Sequence, residues 1–414
     1  MKTKLLISLL LVTGACFAQA DFDSYSKYRF GGYGEILFQY MDYGPDRYKG
    51  SGAPSDSRST ISLPRAIFAF DYKFRDDIIF STELEIEYGG TGSAMELEYD
   101  EAGEYEMEIE KGGEVMLEQF HFTKRFNDAF NVRIGHMIVP VGLTNAHHEP
   151  VFFFTTSRPE GEMTIIPCTW HETGIAVLGK FNKFRYEVMV VNGLDPNGFS
   201  RANWIQGGKQ GIFEETVMTS PAFAGRIEYS GVKGLRLGAS GYFNKSSQNA
   251  SKPEKMSSIN GNVSIFSADA QYSNKNIVAR ANIIYGNLTD SEKITELNRS
   301  VPKAAGFPRT PVAKNAMTYA AEVGYDILSF FDKKEKLYPF VRYEYYNTMQ
   351  EVEGSTLQDA RYKRDLTTFG LNYFILPNLV LKADYSMRRI DSGNYNNENT
   401  FGMSLAYTGW FARK

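Results

Sequence analysis

Cysteine is nearly absent from this 414-residue chain, with only Cys16 and Cys168, so no framework of disulfides can hold the fold together. Beyond residue 20 no stretch approaches the roughly 18 uninterrupted apolar residues of a membrane-crossing helix, which excludes a helical membrane domain. Histidine (5) and tryptophan (3) are scarce. There is no Gly-x-Ser-x-Gly elbow, no His-Glu-x-x-His pair and no Gly-rich phosphate cradle opening a helix. The expectation is a non-enzyme without cofactors and without a nucleic-acid partner.

What the chain has in quantity is aromatic residue, 26 Tyr and 30 Phe, and alternation. A barrel strand in lipid must turn one face to acyl chains and the other to water over about 9–11 residues. Ile78, Phe80, Thr82, Leu84, Ile86 and Tyr88 alternate with Ile79, Ser81, Glu83, Glu85 and Glu87. Phe68, Phe70, Tyr72 and Phe74 alternate with Ile67, Ala69, Asp71 and Lys73, and Leu379, Leu381, Ala383, Tyr385 and Met387 with Val380, Lys382, Asp384, Ser386 and Arg388. The same test predicts sixteen strands, near 29–40, 64–74, 78–88, 115–126, 131–140, 173–179, 184–192, 222–230, 235–244, 263–272, 277–287, 317–328, 338–346, 365–375, 379–389 and 399–410. Of these, 131–140 and 173–179 alternate poorly.

The links between them also alternate, short at 75–77, 127–130, 180–183, 231–234, 273–276, 329–337 and 376–378, long in between. Short periplasmic turns and long extracellular loops are the outer-membrane arrangement. A soluble sandwich would not keep that rhythm over nearly 400 residues. The fold expected is all-β, an antiparallel transmembrane barrel of sixteen strands, or eighteen if segments 193–221 and 288–316 each hide more. Residues 1–20, with Lys2 and Lys4 ahead of the apolar run Leu5 to Val12 and an Ala18-Gln19-Ala20 ending, read as a cleaved secretory signal. Residues 21–414 then form a single barrel domain in the bacterial outer membrane, closed by the aromatic stretch Tyr407 to Phe411. Cys168 reads as a small buried apolar residue.

Charge is segregated. From Glu83 to Glu118 thirteen acids face Lys111 alone, a net −12 that leaves +8 for the rest of the chain. Glu83, Glu85 and Glu87 share the inward face of one strand, because a carboxylate is costly in lipid. Segment 95–110 reads as an acidic hairpin reversing at Asp100-Glu101-Ala102-Gly103. Inward cations are expected at Arg65, Lys73, Arg133, Arg185, Arg226, Arg236, Arg280, Arg342, Lys382 and Arg388. Acids and bases facing each other across a narrow pore would make a transverse field that admits small polar solutes.

Val132-Arg133-Ile134-Gly135-His136-Met137-Ile138-Val139-Pro140-Val141-Gly142 is similar to a strand of the porin O/P family ending in Gly, a polar residue and Pro-hydrophobic-Gly. Phe184-Arg185-Tyr186-Glu187-Val188-Met189-Val190-Val191-Asn192-Gly193 resembles that family's strand ending in Asn-Gly. The architectural resemblance spans the mature length. It implies phosphate-selective porin-like ion transport, a homotrimer in outer-membrane lipid, and a third outer loop, here 141–172, folded inward as a constriction. The family's ladder of stacked arginines is not carried over, since inward acids intervene. In that loop His147, His148, Glu149, Arg158 and His171 are read as constriction lining or loop hydrogen-bonding groups. Histidine and carboxylate are also zinc and copper ligands, but adjacent loop histidines rarely converge, and no metal is expected. Phe152-Phe153-Phe154 reads as packing against the wall. The function expected is passive diffusion of small hydrophilic solutes or ions through a water-filled channel, the alternative being a surface receptor or adhesin on long outer loops.

Overall fold

The computed structural model describes residues 24–45, 55–90, 96–97, 107–108, 113–210, 215–251, 256–300, 310–331, 333–391 and 398–414. The signal segment 1–20 and the reversal at 100–103 lie outside these.

Sixteen antiparallel strands close on themselves. They are β1 (Tyr28–Pro45), β2 (Ser55–Ser62, continued as Arg65–Arg75), β3 (Ile78–Glu87), β4 (Glu114–Arg125), β5 (Asn131–Ile138) and β6 (His171–Phe181). There follow β7 (Phe184–Val191), β8 (Ala222–Val232), β9 (Leu235–Asn244), β10 (Val263–Asn274) and β11 (Ile277–Leu288). The circuit ends with β12 (Asn315–Tyr325), β13 (Lys336–Glu351), β14 (Lys363–Leu376), β15 (Leu379–Ile390) and β16 (Glu398–Arg413). Every neighbour in sequence is a neighbour in the sheet, and β1 pairs with β16 from Arg29↔Arg413 to Asp42↔Asn399 to seal the ring. β2 is interrupted at Leu63-Pro64, where proline has no N–H for the ladder, and both of its halves pair with β1. Closure leaves no backbone edge exposed to lipid, where each unmade hydrogen bond would cost several kcal/mol.

All sixteen expected strands are present, and the question of eighteen is settled by what fills the long segments. Among the described residues, segment 193–221 holds short 3-10 turns and one isolated bridge, Ser200↔Trp204, and the other long segment holds helix α2 (Ser291–Ser300). In the acidic segment, Glu96↔Glu108 and Leu97↔Met107 form a two-rung antiparallel ladder.

Along β3, Ile79, Glu83 and Glu85 are buried while Leu84 is exposed. Along β15, Val380, Lys382 and Asp384 are buried while Leu381, Tyr385 and Met387 are exposed. The exposed set is apolar all round the barrel, for example Phe68, Phe122, Ile134, Val188, Phe266 and Phe369. Such a surface is stable only against hydrocarbon. No helix among the described residues is long and apolar enough to cross a membrane. Replacing outward Leu381 by Arg is expected to cost about 2–4 kcal/mol if that position sits at the bilayer midplane, read by denaturant titration in lipid vesicles. A cost near zero would remove the lipid-facing assignment.

Candidate functional site

The segment between β5 and β6 runs through the interior and is fastened to the inner face of strands far away in sequence. It leaves β5 at Gly142, whose φ of +86° favours glycine and where a Cβ would meet Glu162 Oε1 at 2.3 Å. Asn145 donates to the carbonyls of Val139 (2.7 Å) and Val141 (3.1 Å), and its Oδ1 accepts from Trp170 N (2.6 Å), so the start and end of the loop are tied together. Glu162, on α1 (Glu160–Ile165), accepts from the backbone of Leu143 (3.2 Å) and Asn145 (2.7 Å) and from Asn282 of β11 (3.0 Å). Burial pushes its carboxyl up to about 7, against the pull of those N–H donors.

From there the contacts go round the wall. Lys382 of β15 donates to three loop carbonyls, those of Pro150, Phe153 (2.9 Å) and Thr155 (2.9 Å). Its neighbour Asp384 accepts from Thr156 N (2.6 Å) and Thr156 Oγ1 (2.9 Å). Glu160 takes Arg388 of β15 (2.5 Å) and the Tyr346 hydroxyl of β13, and Gly161 N donates to Glu344. Phe154 stacks on Phe340, with ring centroids 5.2 Å apart, while Phe153 lies under the Lys382 ammonium. The aromatic triplet therefore packs on the wall.

All ten expected cations lie on the inward register of their strands. They are mostly neutralised where they stand, because antiparallel register sets acid beside base: Arg185↔Glu228, Glu187↔Arg226, Arg280↔Glu322, Glu322↔Arg342, Arg388↔Glu398 and Arg65↔Glu87 are register partners. Ion pairs follow, Arg133 with Glu187 (3.0 Å), Arg226 with Glu228 (2.9 Å) and Asp269 (2.8 Å), Arg342 with Glu322 (3.2 Å) and Glu344 (3.1 Å), and Arg280 with Glu322. Arg65 binds Glu85 and reaches Glu118 at 3.1 Å. Lys73 instead donates to Tyr25 O, and Arg236 to Gln271 (2.8 Å). Most of the described cations are thus held in local pairs, while Glu85, Glu87 and Glu118, with Glu83 beside them, outnumber the Arg65 they surround.

Of the two readings given to the loop residues, constriction lining and loop hydrogen bonding, the contacts of His147 and His148 are of the second kind. His147, His148, Glu149 and His171 are all buried at 5% exposure or less, so they face the wall rather than an open passage. His147 Nδ1 donates to Leu143 O (3.0 Å) and His148 Nδ1 to Asn145 O (2.9 Å), and His171 packs on His136 and Lys209. Arg158 is half-buried and donates to Thr169 Oγ1 (2.7 Å) and to Cys168, which is therefore a polar partner and not a buried apolar filler.

Sequence reasoning missed a second inward segment, the connection from β7 to β8. Trp204 and Phe199 are fully buried there. Trp204 Nε1 donates to Ala313 O (3.0 Å), its ring fills the space over Gly286 of β11, and Thr348 of β13 donates to Arg201 O (2.5 Å). Tryptophan was the available signal: two of only three, Trp170 and Trp204, fall in connections instead of strands.

No family model matches the sequence. An uncharacterized protein of Aquifex aeolicus (strain VF5) is 31% identical over 362 residues, spanning 86% of this chain and 74% of its own. The chain belongs to that protein's family. Among solved structures, the chain is similar in fold to OmpF of Salmonella typhi in complex with daunomycin (TM-score 0.56, 12% identity, 91% of this chain and 97% of that one). It also matches an anion-selective porin of Comamonas acidovorans (0.52, 11%, 92% and 99%) and the outer-membrane channel DcaP of Acinetobacter baumannii (0.51, 12%, 92% and 97%). The family member described here thus has the fold of outer-membrane porins.

Proposed function

We propose that this chain is a non-enzymatic outer-membrane channel for passive diffusion of small hydrophilic solutes or ions, exported by its N-terminal signal and assembled as a homotrimer. The observation that carries the reading is the division of faces: an apolar exterior around an interior lined by charged pairs and narrowed by a polar loop fastened to the wall. A charged lining in low-dielectric surroundings keeps its worth only where water and solutes reach part of it. Local pairing leaves a weak net field, which supports modest ion preference. The narrower form, uptake of anions such as phosphate, is supported by the resemblance to the porin O/P family, which also supports the trimer. Segment 141–172 is the constriction in this reading.

A second reading, a surface receptor or adhesin, is favoured by the second inward segment with its buried Trp204 and Phe199. Reversal potential in planar bilayers under a salt gradient separates them. The expected result is a steady current of weak selectivity, and saturation by phosphate would establish the narrower form. Absence of conductance from folded, inserted protein would overturn the channel in favour of the receptor.

A further inference from the structure

Behind the inward loop three side chains meet whose remaining polar atoms are all electron-pair donors to a cation. Glu83 of β3, Glu118 of β4 and His148 of the loop are buried at 4%, 0% and 2% exposure, and one ligand atom of each lies within 4.8 Å of the others. Glu118 spends its Oε2 on Arg65 Nη2 (3.1 Å) and the Tyr33 hydroxyl (3.3 Å), leaving Oε1 without a hydrogen bond. Glu83 is bonded by the Gln119 side chain, and its Oε2 has no hydrogen-bond partner. His148 donates Nδ1–H to the Asn145 carbonyl at 2.9 Å, which leaves Nε2 as the ring atom facing the two acids. That Nε2 stands 2.8 Å from Glu118 Oε1, an ion pair when the ring is protonated, and a metal ion would take Nε2 in place of that proton.

A divalent ion here would replace the single proton of His148 and bring more positive charge to two buried carboxylates, whose desolvation is costly. We infer that Glu83, Glu118 and His148 form a binding site for one divalent transition-metal ion, of the zinc class. Two carboxylates and one imidazole suit Zn2+ rather than the all-oxygen shells of Ca2+ and Mg2+. Ligand distances of about 2.0–2.2 Å are reached from the present spacing by small side-chain movements, with water completing the shell. The ion offsets part of the negative charge that Glu83, Glu85 and Glu118 bring against Arg65. Because His148 comes from the loop and the two acids from the wall, it also clamps the one to the other. The site stands whether or not the barrel conducts.

The test uses full-length protein purified in detergent, stripped with chelator, dialysed against Zn2+ and measured for metal per chain. The expected content is one Zn2+ per wild-type chain, with affinity falling more than about tenfold in His148→Asn and in Glu83→Gln, and unchanged in Cys168→Ser. Heat-modifiable migration on gels reports that each variant is folded. Should the variants fail to fold, X-ray absorption of the Co2+-loaded wild type must show nitrogen and oxygen neighbours with no sulfur. No uptake by the wild type, uptake indifferent to His148 and Glu83, or sulfur at the metal would each overturn the site, and leave a buried His148–Glu118 ion pair in its place.

Discussion

Replacing Lys382 by Met is expected to release the inward loop while leaving the barrel standing. The Lys382 ammonium is the common donor to three loop carbonyls and is the point at which segment 150–155 is held against β15. Methionine fills the same volume but donates nothing. Each carbonyl left buried without a donor costs about 1–3 kcal/mol, more than a single loop turn can absorb without moving. Single-channel recordings should show a larger and noisier current, and limited proteolysis should cut between Pro150 and Ser157 in the variant but not in the parent. Lys382→Arg should restore part of the quiet current. Identical conductance and protease resistance in Lys382→Met would mean that the loop is held elsewhere, through Asp384 and Glu160 alone.

The largest loss of stability is expected for Glu322→Ala. Glu322 is almost fully buried on the inner face of β12 and serves both Arg280 of β11 and Arg342 of β13. Removing the shared acid leaves Arg342 with Glu344 at 3.1 Å and Arg280 against the Phe154 ring only, 5.1 Å from its centroid. Breaking a buried pair from one side costs about 3–5 kcal/mol, since a charge stays behind without compensation. Urea titration of the barrel in vesicles reads this directly. Adding Arg280→Met should recover a good part of it, as coupled sites do. A single-variant cost under about 1 kcal/mol would place the trio in well-solvated water and make the passage beside β11 to β13 wider than the loop suggests.

The strands were legible because lipid and water impose opposite demands on alternate residues, as along β3 and β15. The two poorly alternating strands, β5 and β6, flank the inward loop and carry apolar residues on the inner face where the loop covers them. Met137 and Ala176 are buried inward against Val139, Val141 and Trp170, so an inner face expected to be polar is apolar and the period is blurred. The same substitution of loop for solvent buries His147, His148 and Glu149, which residue type alone left open between constriction lining and loop hydrogen bonding.

Sequence by itself determined that the chain is an antiparallel barrel with short turns at one end and long connections at the other, and which strand side chains point inward. Those properties follow from a period of two and from the exclusion of unpaired backbone and charge from hydrocarbon, both of which act locally. That there are sixteen strands and not eighteen was decided by what fills the long connections. Which acid neutralises which base was decided by strand register, and the gathering of Glu83, Glu118 and His148 by the path of one loop across the interior. These depend on contacts between residues dozens to hundreds of positions apart, Lys382 to Pro150 among them, and no local pattern carries information about such distances.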